Sequence, residues 1–423
     1  MKPSLNNSLN IGYACIALGV PGAQLKTCRL NSATGDVLTG LTAHNVNALE
    51  AMLTYNIGEG IRLFRISSEL IPFASHPDVR FPWRELFAAR LTTLGGMIRE
   101  SGMRVSMHPG QYTLLNAKDA GVTARSIEDI RYHAALLDAL ETDHTHKIVL
   151  HLGGVYGDKT QAVRRFKDHF KNLDPAVRRR IVLENDDRQF HIADVLETAT
   201  ALGIPAVFDN LHHRVNSCGG TDAQWIEACR PTWDSRQKIH YSQQAAGKKP
   251  GAHSAAIRVR EFLVFRDNLP YSDIDVMLEV KDKNLSAIKC ALCTAERREM
   301  SRIEAEWGRY EYAVLERDPA AYARIRGLLK DKSAYPAEEF YDIVEQALGM
   351  PFNAGHARNA AQRVWGFFKE VATEMEKRRF LMLIEDFDEG KARRAKAFFR
   401  KLTEKYQISA LCGAYFLLET DAT

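Results

Sequence analysis

Residues 180–210, RIVLENDDRQFHIADVLETATALGIPAVFDN, contain one copy of the repeating unit from which the fold class is predicted. The aliphatic run at 180–185 has the pattern of a buried strand, and the apolar residues at 189–202 have helical spacing. A second strand pattern follows at 206–210, shortly after Gly203, where a left-handed helix cap is favourable for glycine. Because parallel strands need a crossover connection, this stretch predicts a βαβ unit.

The same unit recurs along the first 300 residues. Helical spacing is also found at 41–55, 83–100 and 126–140, and Ser126 is the expected N-cap of the last of these helices. Eight segments have strand patterns: 11–19, 60–68, 104–108, 147–151, 180–185, 206–210, 238–242 and 274–280. Eight repeats are the number that closes an α/β (β/α)8 TIM barrel. The alternative is an open doubly wound sheet, and no GxGxxG motif follows the first strand to support its dinucleotide-binding version.

After about residue 300 the strand patterns end. The rest of the chain has helical spacing at 303–315, 320–329, 337–348, 358–376 and 391–406. We therefore expect a TIM-barrel domain at 1–300 and a small helical domain of unknown role, a C-terminal appendage, at 301–423. The basic run at 391–401 is typical of a solvated helix face.

Composition narrows the function classes. The chain has 423 residues, a net charge of 57 − 53 = +4 and 45% hydrophobic residues, which is ordinary for a globular protein. No window approaches the ~18 consecutive apolar residues of a membrane span, so we do not expect an integral membrane protein. We interpret residues 11–20 as a strand rather than a signal peptide. Seven cysteines, an odd number, suit free thiols in a reducing compartment, and we expect a cytoplasmic protein.

Histidines and carboxylates collect at the carboxyl ends of the predicted strands, where TIM barrels hold their active sites. The candidates are His108, His151, Glu184, Asp209, His212, His240, His253 and Glu279. Facing carboxylates repel one another, and divalent cations remove that repulsion. Five imidazoles with three carboxylates suit Mn²⁺, Zn²⁺ or Fe²⁺ better than Mg²⁺ or Ca²⁺. Eight ligands exceed the coordination of one ion, so two or three ions are expected, as in enzymes that hydrolyse phosphate esters.

Other side chains near the predicted strand ends are candidates for further roles. Lys238 lies two residues before His240, so both side chains lie on the same strand face. A lysine there is neutral, carbamylated or bound to a phosphate, unless a nearby carboxylate pairs with it. Gln111 and Tyr112 form either a simple turn or a wedge that enters duplex DNA. Tyr13, near the end of the first strand, is a weaker candidate for lining the substrate groove.

Ten motifs, in chain order, resemble those of the UV damage endonucleases: IGYACIALG, NVNALEAML, RLFRISSELIPFASHP, MHPGQY, KIVLHLGGVYGDK, LENDD, VFDNLHH, KIHYSQQ, GAHS and MLEVKDKN. The resemblance runs from about residue 11 to about residue 295. This family is related in fold to endonuclease IV and, more distantly, to xylose isomerase. The resemblance implies a barrel that nicks damaged double-stranded DNA immediately 5′ of cyclobutane dimers and 6-4 products, and often of abasic sites, leaving a 3′-hydroxyl and a 5′-phosphate.

The resemblance also implies roles for the rim residues. Glu184 would bridge two ions, with His108 and His151 on one side and Asp209, His240 and Glu279 on the other. A third ion would be bound by His212 and His253. Lys238, a metal-site lysine that can be carboxylated, and Glu184 are the implied catalytic residues. Gln111 and Tyr112 match a pair that probes the duplex. The implied cofactor is Mn²⁺, with Zn²⁺, Co²⁺ or Mg²⁺ as alternatives, and we expect a monomer.

Other functions compete with this interpretation. The first is an apurinic-site endonuclease of the endonuclease IV type, without preference for photoproducts. The second is a sugar isomerase like xylose isomerase, although carboxylates dominate such sites and this rim has five histidines. The third is a DNA-binding module without catalysis, whose binding of damage would not depend on metal.

Overall fold

The computed structural model describes residues 9–418, and eight parallel strands form a closed barrel within this range. The strands are β1 Asn10–Cys15, β2 Leu63–Ile66, β3 Arg104–Ser106, β4 Ile148–His151, β5 Ile181–Glu184, β6 Ala206–Val207, β7 Lys238–Tyr241 and β8 Asp275–Leu278. Hydrogen bonds join them in two arcs, β3-β2-β1-β8-β7 and β4-β5-β6. Parallel bridges from Met107 to Ile148 and from Asp209 to His240 join the arcs. The predicted (β/α)8 TIM barrel is confirmed.

Helices alternate with these strands through the barrel sequence. They are α1 Gly35–Gly58, α2 Trp83–Ser101, α3 Ala120–Ala139, α4 Lys159–Lys171, α5 Pro175–Arg180, α6 Ile192–Leu202, α7 Asn210–Val215, α8 Asp222–Cys229, α9 Val259–Asp267 and α10 Asn284–Cys293. The rest of the described chain contains α11 Met300–Arg317, α12 Pro319–Leu328, α13 Ala337–Leu348, α14 Ala354–Trp365, α15 Glu374–Ile384 and α16 Glu389–Tyr406. In the described residues, no helix combines the length and apolar character needed to cross a membrane.

The chain divides into two compact units. The barrel unit comprises residues 9–17, 22–257 and 264–288, and the helical unit comprises residues 18–21, 258–263 and 289–418. The boundary at residue 300 that the sequence suggests stays a prediction.

Local sequence explains where the helices begin and end. Gly203 has φ 66° and closes α6 in the left-handed conformation, as the sequence predicts. Ser126 does not begin a helix, because α3 begins six residues earlier, where the Asp119 carboxylate accepts a hydrogen bond from the Val122 amide. Ser126 lies inside α3, and its hydroxyl donates to the Val122 carbonyl oxygen at 2.8 Å. Apolar periodicity predicted the helix only from residue 126, and it did not detect the first six residues of α3.

Alternation along the strands decides which side chains enter the barrel. The interior residues Val149, Val182 and Val207 pack with Trp233, whose indole N–H donates to the Ala206 carbonyl oxygen at 2.8 Å. This apolar cluster lies on three neighbouring strands, before the residues at which those strands end. The polar side chains discussed below follow it toward the carboxyl ends of the strands.

The helical unit has its own aromatic core. Trp365 of α14 stacks on Phe380 of α15, with ring centroids 4.3 Å apart and an interplanar angle of 7°. The single helix expected at 358–376 is wrong, because α14 ends at Trp365 and α15 begins at Glu374. Thr373 and Glu376 form a capping box that starts the second helix.

Candidate metal centre

Glu184 is the centre of a cluster of imidazoles and carboxylates at the carboxyl ends of the strands. It is the last residue of β5 and is fully buried. One carboxylate oxygen, Oε2, lies 3.1 Å from His108 Nε2 and 3.6 Å from His151 Nε2. The other, Oε1, lies 2.6 Å from His240 Nδ1. A single carboxylate therefore faces histidines from three other strand ends.

Three groups of potential metal ligands share this carboxylate. They are His108–His151–Glu184, Glu184–Asp209–His212 and Glu184–His240–Glu279, and the ligand atoms within each group lie within 4.8 Å of one another. Seven of the eight ligands expected from sequence thus come together. The eighth, His253, lies at the edge of the cluster, with Nε2 3.8 Å from Glu279 Oε2.

Backbone carbonyl groups orient two of the imidazoles. His108 Nδ1 lies 3.1 Å from the Pro109 carbonyl oxygen, and His212 Nδ1 lies 2.8 Å from that of Asn185. In a neutral imidazole, an Nδ1 that donates to a carbonyl leaves Nε2 without a proton and able to bind a metal. These contacts therefore favour, for the neutral ring, the tautomer that a ligand needs.

The cluster contains more negative than positive fixed charge. Burial, together with the charges of Glu184 and Glu279, raises the pKa of Asp209 to about 7, against the opposing effect of His212. Burial lowers the pKa of His212, but the carboxylates of Asp209 and Glu184 outweigh it and raise that pKa to about 9. The structure therefore favours additional positive charge at this rim.

Unpaired buried atoms point to the same conclusion. Among the described residues, Asp209 Oδ2 and His151 Nδ1 are buried and have no hydrogen-bond partner. Leaving a buried polar atom unpaired costs about 1–3 kcal/mol. The donor set, imidazole nitrogen with carboxylate oxygen, matches the ligands of first-row divalent metals. The residues present fit a divalent metal site.

Arg65 also belongs to this cluster, although it is not among the site residues expected from sequence. Its guanidinium NH2 lies 2.6 Å from Glu279 Oε1 and 3.0 Å from His240 Nε2. Burial raises the pKa of Glu279, but the Arg65 charge outweighs it and holds that pKa below its usual range. The available signal was a charged residue inside the buried run LFRI of β2, two residues after Leu63 and on the same face.

Lys238 lies inside the barrel on the same face of β7 as His240. It is fully buried, and its Nζ has no hydrogen-bond partner among the described residues. No ion pair joins it to a described carboxylate, which leaves the alternative of a paired lysine without support. Burial, together with the charges of Arg65 and Arg104, lowers the pKa of Lys238 well below its usual value. These effects favour the neutral amine.

The loop after β3 presents Tyr112 to solvent. The Tyr112 side chain is 70% exposed, and the neighbouring Gln111 is exposed as well. The loop is anchored on both sides of its turn. The Thr113 amide donates to the Gly110 carbonyl oxygen at 2.9 Å, and the Thr113 hydroxyl donates to Asp129 Oδ2 at 2.6 Å. A cavity of about 650 Å³ that includes Tyr112 in its lining adjoins this loop.

Tyr13 requires a correction, because it does not line a groove. Its side chain has no exposed surface, and its hydroxyl donates to Asn56 Oδ1 of α1 at 2.8 Å. The neighbouring residue Ala14 packs against Leu63 and Met277 instead. Since side chains alternate along a strand, Tyr13 points away from the barrel interior and into the helix layer.

Comparison with known proteins agrees with this geometry. Residues 9–309 match the family described as UV-endonuclease UvdE, and residues 311–419 match a family described as a protein of unknown function, DUF1722. The UV DNA damage endonuclease of Clostridium perfringens is 34% identical over 423 aligned residues, which cover 97% of this chain and 100% of that protein. The UV DNA damage endonuclease of Bacillus cereus (strain Q1) is 35% identical over 260 residues, which cover 60% of this chain and 82% of that protein.

A solved structure shows the same fold. The crystal structure of SacUVDE superposes with a TM-score of 0.65 and 36% sequence identity, covering 67% of this chain and 96% of that one. The resemblance read from the ten motifs is confirmed. The match includes all eight strands and the whole cluster around Glu184, so the chain belongs to the UV-endonuclease UvdE family.

Proposed function

We propose that this chain is a metal-dependent endonuclease that acts on UV-damaged DNA. The single observation that carries the metal dependence is the sharing of Glu184 among three groups of ligands. Membership of the UV-endonuclease family supplies the activity, since relatives that align with this chain are named UV DNA damage endonuclease. The reaction is the hydrolysis of a phosphodiester bond in DNA.

The cleavage position is part of the proposal. We place the cut immediately 5′ of cyclobutane dimers and 6-4 products, and also of abasic sites, with a 3′-hydroxyl and a 5′-phosphate as products. Support for this position comes from the family resemblance. The substrate is damaged double-stranded DNA, and a protein that acts on chromosomal DNA works in the cytoplasm, at the nucleoid. We propose that it acts as a monomer.

We assign the ligands to two or three divalent ions, with Mn²⁺ as the first choice and Zn²⁺, Co²⁺ or Mg²⁺ as alternatives. The residues that would hold them are His108 with His151, Asp209 with His212, and His240 with Glu279, each pair together with Glu184. His253 would complete the group that contains Glu279. When bound, such ions activate water and stabilise the departing oxygen of a phosphate ester.

Residues of the chain itself prepare this chemistry. Arg65 orients Glu279 through the 2.6 Å contact and compensates its charge. Lys238 lies on the same strand face as His240, inside the barrel, and a neutral amine there can be carbamylated or can donate to a phosphate oxygen. Arg65 and Lys238 both lie on strands rather than on loops, which keeps their side chains in a rigid geometry.

We propose that Gln111 and Tyr112 enter the duplex at the lesion. An exposed aromatic ring on an anchored turn can stack where bases have been displaced. A damaged site is poorly stacked, so opening it costs less than opening intact DNA. Recognition then depends on how easily the duplex deforms rather than on base identity.

We also propose that residues 1–300 carry the nuclease and that residues 301–423 form a separate helical domain. The family match to residues 9–309 and the second match to residues 311–419 support this division.

The test of the proposed function uses the full chain on three supercoiled plasmids: irradiated, depurinated and untreated. We expect Mn²⁺-dependent nicking of the irradiated plasmid, loss of nicking after chelation, and recovery when Mn²⁺ is added. Equal nicking of all three plasmids would contradict the proposal. Nicking of the depurinated plasmid alone would instead identify an apurinic-site endonuclease. Elemental analysis of the purified protein identifies the bound metal.

A further inference from the structure

The helical unit contains an open groove that the proposed function does not use. It is lined by the first half of α11, by α12 and by the loop that follows α12, and its volume is about 700 Å³. We call it the Trp307 groove, and its lining includes Trp307, Tyr322, Arg326, Lys330 and Lys332. This volume falls in the range of sites that bind small organic groups such as a nucleobase.

Trp307 supplies a flat aromatic surface in this groove. The ring is half-buried, and neighbouring rings brace it: Tyr322 at a centroid distance of 5.2 Å and the edge of Phe340 at 6.5 Å. Gly327 also lines the groove, and a Cβ atom placed there would meet no atom within 4 Å. The groove therefore offers an aromatic platform beside open space.

The groove carries an excess of positive charge. Its lining includes three cationic residues and one acid, Glu304, which gives a net charge of 3 − 1 = +2. Glu304 forms an ion pair with Lys332. Arg326 lies against the Tyr322 ring, 5.9 Å from its centroid, and Lys330 has no ion-pair partner among residues 9–418. Within the lining, Arg326 and Lys330 therefore carry the charge that Glu304 does not balance, and Arg326 also acts on the carboxyl of Glu311 outside it.

We infer that the Trp307 groove binds single-stranded DNA, with a base stacked on Trp307 and phosphates near Arg326 and Lys330. Proteins that bind single strands without sequence preference combine a positively charged groove with aromatic rings on which bases stack. The choice of DNA rests on the proposed function, because nicking beside a lesion produces a strand with poorly stacked bases. The expectation of a stacked base and of phosphate contacts rests on the residues that line the groove.

The experiment measures binding of a fluorescein-labelled twelve-nucleotide oligothymidylate to the full chain by fluorescence anisotropy. Chelator is present throughout, so the ions of the barrel cannot contribute. We expect Trp307→Ala to weaken binding about tenfold, as loss of one stacked base typically does. Trp307→Phe keeps a ring in the same packing, so its binding is expected to fall between those of the native chain and Trp307→Ala.

The charge contribution is tested by the double variant Arg326→Ala/Lys330→Ala. The slope of log K against log salt is about −0.7 for each phosphate contact to a single strand, so the loss of two contacts makes the slope less negative by about 1.4. The control is Arg378→Ala/Arg394→Ala, which removes the same charge from exposed positions on α15 and α16. We expect the control to keep at least half of the native affinity and the native slope.

Several results would overturn the inference. The first is native affinity in the groove variants, and the second is an equal loss in the control. The third is stronger binding of a twelve-nucleotide RNA, and the fourth is equal competition by duplex DNA. Glu184→Ala separates this inference from the proposed function, since it removes a barrel ligand and is expected to keep native oligonucleotide binding. Failure of the plasmid assay with intact groove binding would reject only the nuclease.

Discussion

The two ends of the barrel interior treat buried carboxylates in opposite ways. At the amino end, Asp275 is almost fully buried, yet Arg104 NH1 lies 2.8 Å from its Oδ2 and Arg236 Nε lies 2.9 Å from its Oδ1. Asn10 also donates to this carboxylate at 3.0 Å. Every oxygen of Asp275 therefore has a partner from the chain, and the charge is compensated.

At the carboxyl end, carboxylates outnumber the arginines. Among the described residues, Arg65 is the arginine that pairs with a carboxylate of this cluster, and it contacts Glu279 but neither Glu184 nor Asp209. The first end stabilises the fold, whereas the second retains a deficit of positive charge. The contrast indicates that, of these two buried ionic clusters, the functional one is the cluster whose charge the chain leaves uncompensated. A metal ion can then supply what the sequence does not.

The largest expected effect is on nicking activity, after a substitution in the carboxylate cluster at the carboxyl end of the barrel. Glu184→Ala removes the carboxylate that all three ligand groups share, and we expect nicking of irradiated plasmid to fall at least about a thousandfold. Loss of one electrostatic contact in an active site alone costs about 10²- to 10³-fold. The bound metal, measured by elemental analysis, is expected to fall as well. Glu197→Ala, at an exposed position of α6, serves as the control and is expected to nick normally.

A substitution in the ion pairs at the amino end of the barrel is expected to lower the stability of the fold instead. Asp275→Asn leaves Arg104 without its charged partner and leaves Arg236 with Asp273 alone, and we expect the free energy of unfolding to fall by about 3 kcal/mol or more. Urea denaturation measures this change. Asp273→Asn is the matched control, because the Asp273 side chain is 39% exposed and Arg236 keeps its contact with Asp275, so the loss of Asp273 should cost about 1 kcal/mol or less. Loss of metal in Asp275→Asn would contradict the separation of roles.

His146 makes the amino end sensitive to acid. Burial, with the charges of Arg104 and Arg180, lowers the pKa of His146 to about 4, and its Nδ1 accepts from the Val105 amide at 3.0 Å. The unfolded chain takes up this proton near pH 6.5 and the folded chain only near pH 4. Stability is therefore complete above pH 6.5 and falls as the pH drops toward 4, by at most about 3 kcal/mol.

The measurement is the free energy of unfolding between pH 7 and pH 4, compared between the native chain and His146→Gln. The variant has no imidazole to protonate, so its stability should fall less over this interval. Parallel curves for the two proteins would rule out His146 as the origin of the effect.

The smallest expected effect is on metal affinity, and it tests the role of Arg65. Arg65→Lys keeps the charge but loses the planar contact that reaches both Glu279 and His240, and we expect Mn²⁺ to bind about tenfold more weakly. Isothermal titration calorimetry measures this affinity without reference to activity. Tighter binding of Mn²⁺ by Arg65→Lys would show that the arginine opposes the metal rather than orienting its ligands.

Sequence patterns located most of this architecture. All eight strands overlap the predicted segments, and seven of the eight expected ligands converge around Glu184. These succeed because a buried strand requires a run of apolar residues, and a parallel barrel gathers the carboxyl ends of its strands at one rim. Helix boundaries were less accurate, as at α3 and at the break between α14 and α15, because capping residues compete with apolar periodicity.

The order of residues along the chain is sufficient to predict the alternation of strands and helices, and thereby the set of side chains that follow each strand. That Tyr13 faces α1 and that Arg65 contacts Glu279 follows only from the folded barrel. Local periodicity specifies which residues share a face, whereas the direction of that face and its charge balance depend on residues distant in the chain. Arg65 and Glu279 are separated by more than two hundred positions, and barrel closure brings them into contact.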